Sequence, residues 1–267
     1  MLNVFQDAFM QRALIGSLIV GGICAYLGVY VVLRRIVFVG VALAQVSSAG
    51  VGLAVLTGQN PSLMSILMTL GGVAAFSVKA RDRKVTQESY IGIGYALAAA
   101  LAVLFIAKSA KGEGDMLELL KGDVLTIVPA DIWWMAGAAV VVLAIHTLFH
   151  KQFLFSAFDP ETAEACGIKS SRWDLLFFVM LGVIIALSIK LVGTLLVFGF
   201  LVLPAVSALL LSQHLGKIYA VAICSSVIAT VLGLYASMRL EMPSGPTIAA
   251  VSFILLVVAW IISKFKD

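Results

Sequence analysis

Long apolar segments recur along this chain, and they are too many and too long for a soluble core to bury. Charged residues make up only 12% of the sequence, against about a quarter in an average soluble domain. A bilayer crossing takes roughly 20 apolar residues. The pattern therefore predicts an all-α polytopic transmembrane helical bundle of about nine spans, within a range of eight to ten. The predicted spans lie near residues 13–33, 37–56, 62–79, 89–107, 128–149, 173–189, 192–213, 218–238 and 247–263.

The segment 173–213 is apolar almost throughout and is too long for one crossing. It is interrupted only at Lys190 and Gly193, so the chain either turns there or contains a re-entrant helix buried against protein. Pro204 predicts a local break in the span that follows, because proline removes a backbone donor. No segment is long enough for an additional soluble domain, and we expect residues 1–267 to form a single transmembrane domain.

The Lys and Arg residues are unevenly shared between the two sets of predicted connections. One set holds twelve of them, including Arg34, Arg35 and Lys264, and the alternate set holds six. Because cytoplasmic loops are enriched in Lys and Arg, we expect the first set in the cytoplasm. The N-terminus would then lie outside and the C-terminus inside. Nucleic acid is not an expected partner, since the loop cations are explained by membrane orientation.

One short polar segment, FDPETAEACGI at 158–168, interrupts the apolar pattern between two predicted spans. Its residues carry the signals of a compact helix of about two turns, on the cytoplasmic side by the charge count. A structured polar helix between membrane spans is typical of a segment that another protein grips. The helix signals are Asp159 at the N-cap, Pro160 at the first position, Glu161 and Glu164 near the positive end of the dipole, and Gly167 as the stop.

Small residues recur at every fourth position of the second predicted span, at Gly40, Ala44, Ser48 and Gly52. Such a row permits the backbone of another helix to approach closely. Gln45 lies on the adjacent row and is the only strongly polar side chain of that helix. A polar group at membrane depth needs a partner or a watery cavity. Gln45 therefore either forms an interhelical hydrogen bond or lines a transport path.

Several functional motifs are missing from the sequence. There is no Gly-x-x-x-x-Gly-Lys-Ser/Thr loop, so any use of ATP requires a separate subunit. No Ser/His/Asp or Cys/His arrangement supports an enzyme. The middles of the spans lack the Asp, Glu, Lys and Arg residues that proton- or sodium-coupled transporters generally use. His146 and His150 stand four residues apart at the end of the fifth predicted span, where they form either an interfacial pair or two metal ligands.

Six segments, in order along the chain, together match one known pattern: 9–40, 88–107, 119–125, 158–168, 192–211 and 242–259. In these segments the chain resembles the zinc/manganese-type permeases of ATP-binding cassette importers, which carry divalent metals, chiefly zinc or manganese and sometimes iron. The resemblance implies a bacterial inner-membrane protein in which two copies form one translocation pathway. It also implies an external solute-binding protein and two cytoplasmic ATPase subunits, which bind the ATP and Mg, while this chain has no cofactor or catalysis of its own. The segment 158–168 resembles the coupling helix that sits in a cleft of the ATPase.

The second span departs from that family pattern. The family sequence Gly-Asp-Ala-x-Ser-His presents an Asp and a His one helical turn apart, which can offer oxygen and nitrogen ligands to a cation. The matching positions here are Val41 and Gln45, which leave one neutral carbonyl oxygen. The resemblance predicts a translocation path along Val41, Gln45 and Ser48. Either selectivity lies in the binding protein, or the chain carries a metal chelate or another solute. A self-contained channel or facilitator without an ATPase is the alternative from a different class.

Overall fold

The computed structural model describes residues 8–77, 87–108 and 129–265, which form eleven helices and no strand. Eight of these helices are long and apolar enough to cross a membrane, and a further apolar helix, α3, has 17 residues. The predicted all-α bundle of about nine spans is thereby confirmed, while the 119–125 segment lies outside the described residues. The helices are α1 (Ala8–Leu33), α2 (Val37–Thr57), α3 (Pro61–Ser77), α4 (Gln87–Ala107), α5 (Pro129–Leu148), α6 (His150–Phe158), α7 (Pro160–Ala165), α8 (Ser170–Val192), α9 (Thr194–Leu211), α10 (Leu215–Leu240) and α11 (Ser244–Lys264).

The long apolar segment 173–213 is divided at Gly193, where α8 ends and α9 begins. Gly193 has φ 80° and ψ 164°, a conformation that glycine adopts without the strain a Cβ atom would cause. The two helices that result contain 23 and 18 residues, so each is long enough to cross a bilayer. The predicted interruption is therefore confirmed at Gly193, and the choice between a turn and a re-entrant helix stays a prediction.

α9 continues through Pro204, and the predicted local break is wrong. Proline removes one backbone donor, but it need not end a helix whose faces are held by neighbouring helices. Pro204 is buried, and α9 contacts α1, α10 and α11. Tertiary packing therefore outweighs the local effect of this proline.

The helices group into two compact units, which we describe separately. The first unit comprises the described residues within Met1–Val37, Lys111–Ala136 and Leu187–Asp267. In it α1, α9, α10 and α11 pack against one another, and the rings of Tyr26 and Tyr219 stack with centroids 4.7 Å apart. Small side chains dominate one cluster of its core, which allows the helix backbones to approach closely. The cluster contains Ala25, Val29, Ala205, Ala208, Ile218 and Ala222.

The second unit comprises the described residues within Phe38–Ala110 and Gly137–Ala186, and it contains α2, α3, α4, α6, α7 and most of α5 and α8. A short hydrogen bond joins the hydroxyls of Ser47 and Ser65, whose oxygens are 2.6 Å apart. One turn further along α2, a methyl group at Gly50 would lie 2.7 Å from the carbonyl oxygen of Met64. The backbones of α2 and α3 are therefore in near contact at this point.

Candidate functional site

The polar segment folds as α7, and its N-terminus has the predicted cap. Oδ1 of Asp159 accepts the backbone N–H of Thr162 at 3.0 Å, and Pro160 occupies the start of the helix. The hydroxyl and the backbone N–H of Thr162 both hydrogen-bond to the Asp159 carboxylate and hold its pKa below the ordinary value. Glu161 lies in the first turn, where its charge complements the helix dipole.

The C-terminus of α7 is closed by a Schellman motif. Gly167 has φ 81° and donates its N–H to the carbonyl of Glu164 at 3.0 Å, while the N–H of Ile168 reaches the carbonyl of Ala163 at 2.9 Å. This pair of bonds satisfies the last carbonyls of the helix and depends on a left-handed residue at Gly167. With caps at both ends, α7 spans Pro160–Ala165, and its length of about 1.7 turns at 3.6 residues per turn is close to the predicted two turns.

α7 turns its apolar side inward and its acidic side outward. Ala163 is only 1% exposed, whereas Glu161 and Glu164 are exposed. The result is a short helix, held at both ends, that presents two carboxylates to its surroundings. Such a surface suits contact with a positively charged partner.

α6 leads into α7 and was not predicted from the sequence. Backbone hydrogen bonds of 3.1 Å from Phe149 to Ile145, and from Phe153 to Phe149, carry the helical path across the junction between α5 and α6. The buried Ser156 donates its hydroxyl to the carbonyl of Ser170 at 3.1 Å, which ties α6 to the first residue of α8. Its burial runs against its polarity, since Ser156 is buried whereas Phe155 and Phe158 are exposed, so hydrophobic periodicity did not mark the buried face of this helix.

The predicted histidine pair lies in an aromatic cluster. His146 is fully buried, its ring stacks on Phe153 at 4.8 Å, and the ring of His150 meets it edge-on at 6.1 Å. Across the described ranges, no group of three or more His, Cys, Asp or Glu side chains could hold a metal ion. The aromatic packing gives His146 a structural environment, and a metal-ligand role for the pair stays a prediction.

The predicted path residues lie together on α2. Val41 and Gln45 are half-buried and Ser48 is buried. The predicted close approach of small residues is confirmed at Gly52, where a methyl group would lie 3.3 Å from the carbonyl oxygen of Ala102 on α4. The tighter approach, at Gly50, lies off the predicted row. A role in translocation for Val41, Gln45 and Ser48 stays a prediction.

An ion pair that sequence reasoning missed joins two helix ends of the first unit. Nζ of Lys190, in the last turn of α8, lies 2.8 Å from Oδ1 of Asp131 in the first turn of α5. The side chain of Lys190 is 46% exposed and that of Asp131 is 20% exposed, so solvent partly screens the attraction between the two charges. Asp131 and Lys190 are each an isolated charge near the end of an apolar helix. This isolation is the sequence feature that could have indicated the ion pair.

The fold and the site together define a multi-pass helical membrane protein with a capped polar helix between two of its membrane-length helices. The profile of the ABC 3 transport family matches residues 6–263, and the chain belongs to this family. It is therefore a membrane permease of the ATP-binding cassette transporters, as the resemblance implied.

Known proteins of similar sequence and fold cover nearly the whole chain. The "Manganese transport system membrane protein MntC" of Halalkalibacterium halodurans is 29% identical over 98% of this chain and 89% of its own. The "Manganese import system permease protein ScaB" of Streptococcus gordonii is 27% identical over 96% and 91%. A chain of "PsaBC from Streptococcus pneumoniae in complex with Fab" has the same fold, with a TM-score of 0.88 and 23% identity over 100% and 98% of the two chains.

Proposed function

We propose that this chain is the membrane subunit of an ATP-binding cassette importer for divalent metal ions, with manganese as the first candidate. The family match over residues 6–263 carries the proposal, and the names of relatives that cover nearly the whole chain favour manganese. Two copies of the chain form the pathway, two separate ATPase subunits bind ATP and Mg, and an external binding protein delivers the cargo. This chain contributes no catalysis and no cofactor.

The excess of Lys and Arg in one set of connections supports an orientation with the N-terminus outside and the C-terminus in the cytoplasm of a bacterial inner membrane. In this orientation α7 faces the cytoplasm and serves as the coupling helix. Its exposed Glu161 and Glu164 provide charge complementarity to a cationic cleft of the ATPase. The caps at Asp159 and Gly167 keep the helix formed while it is pushed.

The helices around α7 provide a route by which ATP-driven movement reaches the membrane spans. α6 continues from α5 and is bonded to the start of α8 through Ser156 and Ser170. Displacement of α7 by closing ATPase subunits would therefore be passed to α5 and α8 as rigid elements. In this proposal the spans rock between outward-open and inward-open states around the path along α2.

One observation favours a second cargo class within the same architecture. Val41 and Gln45 stand where the resembling family has Asp and His, and one neutral amide oxygen is a weak ligand for a bare transition-metal ion. A permease that carries a metal chelate or another solute would not need ligands at these positions. If the cargo is instead a bare ion, the binding protein alone selects it.

The deciding experiment is transport in sealed proteoliposomes that contain this chain, its ATPase and its binding protein. We expect ATP-dependent manganese uptake that stops when the ATPase is omitted. Uptake without the ATPase would identify a facilitator, and ATP-dependent flux in the opposite direction would identify an exporter. Uptake of a chelate but not of the free ion would favour the second cargo class.

A further inference from the structure

A groove of about 460 Å³ adjoins the C-terminal end of α7 within the second unit. Its walls include Gly167, Ile168 and the residues that open α8. Lys169 and Arg172 are exposed at its rim, so the groove is positively charged although it adjoins an acidic helix. The proposed transport function leaves this groove without a role.

The groove is lined by Lys169, which directly precedes α8, and by three side chains of the helix itself, Arg172, Trp173 and Leu176. Arg172 and Trp173 lie four and three positions before Leu176, so both share a side of the helix with it. With a rise of about 1.5 Å per residue, Leu176 lies roughly 6 Å along the axis from Arg172. The lining therefore changes from cationic through aromatic to aliphatic within about the first two turns of the helix.

This order matches the boundary of a bilayer. Each headgroup layer is about 5–8 Å thick, tryptophan is enriched at that level, and aliphatic side chains belong in the hydrocarbon. Phe149, 40% exposed, lies against Trp173 with ring centroids 5.1 Å apart. Leu175, next to Leu176, is 43% exposed. Apolar surface for an acyl chain is thus available beside the end of the groove that Leu176 lines.

We propose that this groove binds the headgroup of an anionic phospholipid. Lys169 and Arg172 contact its phosphate, and an acyl chain runs along Leu176. A guanidinium group can pair with a phosphate through two parallel hydrogen bonds, and the positive end of the α8 dipole adds to the attraction. The inference concerns a lipid and holds whatever the cargo of the permease is.

The charges on the surface favour a lipid over a second contact with the ATPase. Glu161 and Glu164 are exposed on α7, so a protein surface complementary to α7 carries positive charge. The same surface would be repelled by Lys169 and Arg172. An anionic headgroup is attracted by the two cations and can enter from the membrane side.

Native mass spectrometry of the full chain in detergent provides the test, with phosphatidylglycerol as the probe and phosphatidylcholine as the comparison. Lys169→Gln combined with Arg172→Gln should lower the apparent affinity for phosphatidylglycerol by a factor of about 30. Each basic side chain near an anionic surface contributes about 1 kcal/mol, a factor of about 5.4, and the two factors multiply. Binding of phosphatidylcholine should not change. The matched control, Lys217→Gln with Lys264→Gln, removes the same charge elsewhere and should bind phosphatidylglycerol like the wild type.

Leu176→Ala keeps both cations and distinguishes binding of a lipid from binding of free phosphate. It should weaken binding of phosphatidylglycerol while leaving any binding of inorganic phosphate unchanged. Equal phosphatidylglycerol binding by the wild type and the Lys169/Arg172 variant would overturn the proposal. Full displacement of the lipid by inorganic phosphate would also overturn it. The same holds if the Lys169/Arg172 variant loses binding of the ATPase but retains binding of phosphatidylglycerol. An unchanged melting temperature, measured by tryptophan fluorescence, establishes that each variant is folded.

Discussion

Gly28 of α1 lies directly against the backbone carbonyl group of Leu201 on α9. A methyl group placed at Gly28 would collide with the carbonyl oxygen of Leu201 and would lie 2.8 Å from its carbonyl carbon. Real Cβ atoms do not approach backbone atoms this closely, and neither helix backbone can give way cheaply. The contact between α1 and α9 therefore depends on glycine at this position.

Gly28→Ala should destabilise the protein by about 1–3 kcal/mol, because overpacking forces the two backbones apart. Thermal unfolding in detergent measures the effect. The matched control is Gly22→Ala on the same helix, where no described atom beyond the helix's own backbone lies within 4 Å of the added methyl group. That variant should be neutral or more stable by about 0.5–1 kcal/mol, owing to helix propensity. Equal effects of the two substitutions would contradict the close approach.

Asp159→Ala should speed hydrogen exchange at the Thr162 amide several-fold, because the N-cap acceptor is lost. Asp159→Asn should keep near-wild-type protection, since asparagine is a comparable cap. Exchange detected by mass spectrometry, corrected for intrinsic rates, reports both changes. If both variants exchange like the wild type, the cap does not hold α7.

The same cap should respond to acid. The pKa of Asp159 is lowered in the folded chain, so its stabilising effect is fully present above the unfolded value of about 3.9 and is lost as pH falls through the lower folded value. Protection of the Thr162 amide should decline in that acidic range in the wild type but not in Asp159→Asn. A decline of equal size in both proteins would assign the effect to other groups.

Glu161→Lys should weaken binding of the ATPase by about tenfold or more, because it replaces an attractive charge with a repulsive one. ATP-dependent uptake should fall with it, while melting of the permease stays unchanged. Glu88→Lys, an exposed charge reversal at the start of α4, is the control and should bind the ATPase normally. Co-purification and proteoliposome uptake measure the two effects. Normal binding by Glu161→Lys would remove the coupling role from α7.

Asp131→Asn and Lys190→Met should show a coupling energy of about 0.2–1 kcal/mol in a double-mutant cycle, as expected for a partly exposed ion pair. The coupling should shrink as ionic strength rises, because salt screens exposed charges. Thermal unfolding of the wild type, both single variants and the double variant at two salt concentrations gives the value. Additive single effects would mean that the 2.8 Å contact contributes no measurable stability.

Gln45→Leu should reduce uptake without reducing the amount of folded permease, if the amide of Gln45 contacts the passing cargo. Restoring the resembling family's residues, with Val41→Asp and Gln45→His, tests the same path in the opposite direction. The double substitution should raise uptake of a free divalent ion, because oxygen and nitrogen ligands are then one turn apart. Unchanged flux in both variants would leave Gln45 with a packing role.

Features that depend on local chemistry were predictable from the sequence. The number and approximate position of the spans follow from the lengths of the apolar segments. The break at Gly193 and the end of α7 near Gly167 fall on glycines with positive φ, and Asp159 caps α7 as expected. The length of about two turns predicted for α7 also agrees with the six residues that its two caps enclose.

The contacts between helices could be decided only by the tertiary structure. A membrane helix is apolar on the side that faces lipid as well as on the side that faces protein, so hydrophobic periodicity does not mark its buried face. The sequence could not indicate that Gly28 and Gly50 are the sites of close approach while Gly22 is open. It could not pair Asp131 with Lys190 across 59 residues, because that contact exists only after the ends of α5 and α8 have been brought together.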